Sequence, residues 1–162
     1  MLLKKFKMGF FLALSITLSP PILANENAEV NTLEVLAQQL ADKKGNVIYV
    51  DFWASWCIPC RKSFPWMNNL KSKHQAQGLS IISINLDHDR ELADLFLQDN
   101  PANFPVIYDP KGLIARKYKL KGMPSSFIVN RQGKIVSGHV GFNEEKKLAY
   151  EKEITALLNK SE

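Results

Sequence analysis

The chain holds two cysteines in 162 residues, both in Cys57-Ile58-Pro59-Cys60, and they follow directly on the run Val47-Ile48-Tyr49-Val50-Asp51-Phe52-Trp53. That run is β-branched and aromatic with almost no polar alternation, the pattern of a central strand buried on both faces. Residues 61–77 then read as a helix closed by Gly78, with Pro65 inside it expected to kink it. The two thiols therefore stand between a buried strand and a helix.

A loop as short as this one closes little chain entropy, so a structural staple is a weak reading of the pair. Secreted domains held by disulfides usually carry four or more cysteines at wider spacing. The motif could be half of a zinc site, but the other half requires two more Cys or His ligands. Only His74, His88 and His139 are present, none paired at ligand spacing, so no metal is expected. What remains is a redox-active dithiol.

The spacing of Leu33, Leu36, Ala37 and Leu40 predicts a helix over 32–43, ended by Gly45. Residues 79–86 read as a second buried strand, and 87–99 as a helix with Leu92, Leu95 and Phe96 on one face. A short extended piece at 104–108 and a short helix at 113–118, stopped by Gly122, come next. Strands at 126–129 and 134–137 flank Asn130-Arg131-Gln132-Gly133, a good hairpin connection. A helix over 144–158 closes the chain, with Leu148, Ile154, Leu157 and Leu158 as core candidates. This order predicts an α/β fold, a mixed central sheet flanked by helices on both faces.

Residues 1–24 stand apart from that domain. Lys4, Lys5 and Lys7 precede an apolar run over 8–18, Pro20 and Pro21 break it, and Ile22-Leu23-Ala24 offers a processing site. That is the layout of a secretory signal peptide. An uncleaved anchor is the weaker reading, because a span needs about 20 apolar residues and the prolines interrupt these. No Cys follows the apolar run, so a lipid anchor is not expected. The chain thus divides into a signal peptide (1–24), a flexible leader (25–31) and one domain (32–160). Three of the 21 basic residues lie in the signal, which leaves 18 against 16 acidic residues. A near-neutral balance gives no reason to expect nucleic acid or an anionic membrane as partner.

A thiol at a helix N-terminus faces unsatisfied N–H groups and the positive end of the dipole, which favour its anion. Cys57 is accordingly the expected nucleophile, and Cys60, one turn along, the thiol that resolves the mixed disulfide. Pro59 costs no hydrogen bond so early in a helix and removes an N–H near the sulfurs. Ile58 and Pro59 are therefore expected to tune the redox potential.

The segment Val50-Asp51-Phe52-Trp53-Ala54-Ser55-Trp56-Cys57-Ile58-Pro59-Cys60 resembles the active-site segment of thioredoxins. With Cys60-Arg61-Lys62-Ser63-Phe64-Pro65, Phe104-Pro105-Val106, Gly122-Met123-Pro124-Ser125-Ser126-Phe127-Ile128-Val129 and Gly133-Lys134-Ile135-Val136, the pattern is more similar to the extracytoplasmic TlpA/ResA-like branch. The resemblance covers about residues 30–160. It implies a thioredoxin fold, no cofactor beyond the cysteines, and a cis peptide before Pro124 facing the disulfide. There the backbone of Met123 could pair with an extended substrate peptide beside Cys57, with Trp56 as a wall of the cleft.

Asp51 is a departure within that branch, many of whose members carry a neutral residue here, whereas cytosolic-type thioredoxins carry an acid. A carboxylate beneath the sulfurs would be desolvated, raising its pKa toward the range of a general acid or base for Cys60. Three functions follow from the pattern. The first, which the TlpA/ResA-like resemblance implies, is a reductant of other exported proteins, such as apocytochrome c, metallochaperones or general disulfides, kept reduced by a membrane dithiol donor and acting as a monomer outside the cytoplasm. The second is an oxidant that introduces disulfides, which the absence of a His between the cysteines disfavours. The third is a Cu(I) chaperone using Cys57, Cys60 and His139, disfavoured by the close spacing of the cysteines.

Overall fold

Three strands paired in parallel, with two more added by antiparallel pairing, build the sheet that positions the cysteines. The computed structural model describes residues 31–160; the expected signal peptide and all but the last residue of the expected leader lie outside them. The elements run α1 (Thr32–Asp42), β1 (Val47–Trp53), α2 (Ile58–His74), β2 (Leu79–Asn85), α3 (Arg90–Asp99), β3 (Val106–Tyr108), α4 (Leu113–Lys117), β4 (Ser125–Val129), β5 (Ile135–Val140) and α5 (Glu144–Leu158). In the sheet the order is β3-β2-β1-β4-β5. β1 pairs in parallel with β2 and antiparallel with β4, so it is central and its seven residues are all buried.

Alternation along β1 sends Val47, Tyr49 and Trp53 to one face and Ile48, Val50 and Phe52 to the other. The first set packs with Cys60, Phe64, Met67 and Leu70 of α2, Phe96 of α3 and Ile154 of α5. The second packs with Leu36 of α1 and Ile114 of α4. Both faces are covered, which is why the run carries almost no polar residue. Each fully buried aliphatic or aromatic side chain contributes about 1.5–3 kcal/mol.

Side-chain caps set several helix starts. Asn31 Oδ1 accepts from the Leu33 N–H, Asp89 Oδ1 from Glu91, and Asn143 Oδ1 from Lys146. The buried Asp109 does this for α4, accepting from the N–H groups of Leu113, Ile114 and Ala115, and it also accepts from Thr32 Oγ1 of α1.

Several expected elements shift. α2 begins at Ile58, three residues before the periodic stretch, because Cys57 serves as its N-cap and Pro59 fits the first turn. It runs on through Pro65 as one helix, and the 3₁₀ turn Gln75–Gln77 leads to Gly78 at φ 89°. On α5 the core side is made by Tyr150, Ile154 and Leu158, whereas Leu148 is 64% exposed and Leu157 only partly buried. Tyr150, Ile154 and Leu158 repeat every four residues, which turns Leu148 to the opposite side of the helix. On α3, Leu92, Leu95 and Phe96 do share one groove, but Leu92 and Leu95 are exposed and Ala93 joins Phe96 in the core.

Candidate active site

The strand β1 ends at Trp53, and four residues later Cys57 begins α2 in extended backbone. Between them the chain is held from the neighbouring strand: the buried Asp87, just past β2, accepts from the backbone N–H and hydroxyl of Ser55, each at 2.8 Å, and from Asn85 Nδ2 at 2.7 Å. The Leu86 N–H donates to the Trp53 carbonyl. Sequence reasoning missed Ser55 and Asp87. Asp87 opens what reads as a helix, and only the parallel pairing of β1 with β2 brings it under the Ser55 turn.

Cys57 and Cys60 are joined by a disulfide, with Cα atoms 5.3 Å apart. Both residues are buried, while Trp56 is 64% and Ile58 72% exposed, so an apolar rim surrounds the sulfurs. No side chain caps the α2 N-terminus. When the bond is reduced, the first-turn N–H groups are left to favour an anion at Cys57. Beneath lies an aromatic cluster in which Trp53, Phe64 and Phe96 meet pairwise with ring centroids 4.6–4.9 Å apart. Phe64 and Trp66 are thus core residues, and Trp56 is surface. Beside it, Arg61 lies 5.6 Å over the Phe96 ring.

Asp51 shares the sheet face of the cysteine pair and is 1% exposed. Its Oδ2 has no hydrogen-bond partner among the described residues. Burial holds its carboxyl well above the usual carboxylate range. Tyr49 and Tyr150 stand close enough that, after burial, the Asp51 charge is a further cause raising their phenols.

Pro124 stands immediately before β4, and the pairing of Ser125 with Phe52 sets it at the end of the sheet from which the cysteine segment leaves. The Met123–Pro124 peptide is cis. Pro124 is buried and Met123 is half-buried, packed against both cores. His139 lies within β5 and bonds Glu153, and no group of three or more His, Cys, Asp or Glu among the described residues could hold a metal ion.

The redoxin family model matches residues 27–158. The chain belongs to that family. Among redoxin relatives it is 31% identical over 110 residues to the thiol-disulfide oxidoreductase ResA of Bacillus subtilis, a match covering 68% of this chain and 62% of that protein's length. It is 33% identical over 130 residues to ResA of Bacillus thuringiensis subsp. konkukian, covering 80% and 75%. Among solved structures, a Chlorobium tepidum protein provisionally named thiol:disulfide interchange protein DsbE is 50% identical, with a TM-score of 0.72 over 74% of this chain and 85% of that one. StoA of Bacillus subtilis gives 27% identity and a TM-score of 0.57 over 67% and 84%. This redoxin is a thiol–disulfide oxidoreductase of the thioredoxin fold and the TlpA/ResA type.

Proposed function

We propose that the chain is an exported reductant of disulfides in other exported proteins. The Cys57 thiolate attacks one sulfur of a substrate disulfide, and the other sulfur leaves as a thiolate. Cys60 then attacks Cys57 Sγ, which expels the second substrate thiolate and closes the Cys57–Cys60 bond. Two electrons pass to the substrate. The proton lost by Cys60 goes to the Asp51 carboxylate and returns from there to solvent or to the departing thiolate. The observation that carries this reading is the buried Asp51 carboxylate, unpartnered at Oδ2, on the sheet face of the pair. The exposed Trp56 and Ile58, with the Met123 backbone ahead of Pro124, form the seat for an extended substrate segment.

Direction follows from what surrounds the thiolate. Ile58-Pro59 supplies no cation, and a carboxylate on the same sheet face disfavours a second negative charge nearby. Both make the thiolate less favoured than in a strong oxidant, and so favour the disulfide over the dithiol. The basic and apolar N-terminal run supports export, and no helix among the described residues is long and apolar enough to cross a membrane. In an oxidising compartment the pair stays useful only if a membrane dithiol donor keeps it reduced.

The test is capture in cells. Cys60→Ser should hold substrates as mixed disulfides and Cys57→Ser should hold none, while acid trapping and alkylation should find the unaltered pair mostly reduced. Equal capture by both variants would overturn the assignment of the two thiols. A wholly oxidised pool would make the protein an oxidase.

A further inference from the structure

α3 turns Ala93 and Phe96 into the core but leaves two leucines in water, Leu92 at 48% and Leu95 at 58% exposure. Three residues apart, they stand on neighbouring turns of one side of the helix. With Trp56, Arg61 and Phe96 they line one groove of about 260 Å³. The sheet brings these segments together. β2 pairs in parallel with β1, so α3, which follows β2, comes up beside the turn that leads from β1 to Cys57. Asp87 holds that turn through the backbone N–H and hydroxyl of Ser55. Arg61 of α2 spans the two, its guanidinium lying 5.6 Å over the Phe96 ring and donating to the Ser55 carbonyl at 3.4 Å. The groove is thus built on fixed elements, and Trp56, the residue before Cys57, is one of its walls.

We infer that this groove seats a large apolar side chain of the protein substrate, carried a few residues from the substrate cysteine that joins Cys57. The inference rests on the proposal that Cys57 is the attacking thiol, and it adds a specificity element to that reaction. Continuity with the redox centre selects the occupant. Trp56 belongs both to the apolar rim of the disulfide and to the groove, so a segment bonded to Cys57 Sγ that continues past Trp56 runs onto Leu92 and Leu95. Topology gives the same direction. Met123 and Pro124 reach the cysteines from the β4 side of β1, and α3 reaches them from the β2 side. A substrate lying across Cys57 therefore meets the Met123 backbone on one side and the groove on the other.

Size and chemistry agree with a side chain as the guest. Small-molecule sites usually hold about 300–1,000 Å³, more than this groove offers. Its walls are a tryptophan, a phenylalanine and two leucines, the kind of pocket that takes the apolar anchor of a protein partner. Arg61 is exposed and commits only part of its five donors to Ser55, which leaves others for a backbone carbonyl of the passing segment. An extended chain advances about 3.3 Å per residue, which sets the anchor about two to four residues from the substrate cysteine.

The test is an exchange equilibrium at Cys57 in the Cys60→Ser protein. Its Cys57–glutathione disulfide is mixed with a peptide that carries one cysteine. The peptide sulfur joins Cys57 and glutathione leaves as its thiol, so one disulfide replaces another. Mass spectrometry reads the ratio of the two. The peptides carry Ser around the cysteine except for one Leu, moved position by position away from it on either side. At about two to four residues out, Leu should shift the equilibrium toward the peptide by about 10-fold over Ser, the worth of burying about half a leucine side chain. Leu92→Ser together with Leu95→Ser should bring that preference down to about twofold or less. Both leucines are exposed, so neither change opens the core, and Leu148→Ser, at an exposed leucine on α5, should keep the preference. A preference below about twofold at every position, or one that survives the double variant, would overturn the groove and leave the role of Cys57 intact. A Cys57 that takes up neither peptide nor glutathione would instead overturn the assignment of the attacking thiol, and the inference with it. Self-association of the unaltered protein that the double variant abolishes would give the groove to a second copy of the chain and overturn the inference as well.

Discussion

Two carboxylates lie equally deep in this molecule, Asp109 beneath the start of α4 and Asp51 in the second half of β1, each 1% exposed. Around Asp109 the chain has arranged donors: three backbone N–H groups of α4 and the Thr32 hydroxyl converge on it. Around Asp51 it has not, and Oδ2 is left without a partner. A buried anion supplied with donors fastens the segments that supply them, here α1 and α4. A buried anion left short of donors is costly while charged, which suits it to take up a proton. Asp87 stands with the first kind, since it fixes the Ser55 turn two residues ahead of Cys57.

The largest stability effect is therefore expected at Asp109. Asp109→Ala orphans three N–H groups near the core, each costing about 1–3 kcal/mol, and should lower the unfolding free energy by about 3–5 kcal/mol. Denaturant titration checks it, and a loss under about 1 kcal/mol would break the contrast. Asp87→Ala removes fewer backbone contacts and should cost about 2 kcal/mol. It should also change the alkylation rate of reduced Cys57, a readout that Asp109→Ala should leave alone.

Asp51→Asn should act in the opposite direction and by less. The folded-state pKa of Asp51 lies above its ordinary value near 3.8, so the carboxyl's contribution to stability is full below that value and is lost as pH rises through the folded pKa. The Asn variant escapes that loss. It should match the unaltered protein near pH 4 and exceed it by about 1 kcal/mol at pH 8. Denaturation midpoints measured across that range check the sign. A variant less stable at pH 8 than at pH 4, relative to the unaltered protein, would mean that Asp51 is a fastener after all.

Much of this contrast could be read from the sequence on one side only. Asp51 was legible because it is the one charge in an otherwise apolar run, and a run such as Val47–Trp53 needs no tertiary information to be recognised as a buried strand. The cysteines at the strand's end fixed the redox reading for the same reason. Asp87 and Asp109 were not legible as fasteners, because their donors arrive from segments far along the chain, Ser55 in one case and Thr32 in part of the other. The misplacement of Leu148 has a simpler origin: with apolar residues spread around α5, its face was decided by the fit of Tyr150 against Trp66 and His139.

The most direct test of the account is the rate at which Cys60 resolves the mixed disulfide, compared between the unaltered protein and Asp51→Asn at pH 7 and pH 9. Stopped-flow fluorescence with a peptide disulfide can follow it. If Asp51 takes the proton from Cys60, the variant should be slower at pH 7 by about 10²-fold, in the range typical of a lost general base. The deficit should shrink toward unity at pH 9, where Cys60 ionises unaided. A ratio that stays the same at both pH values would contradict the proton-transfer role of Asp51.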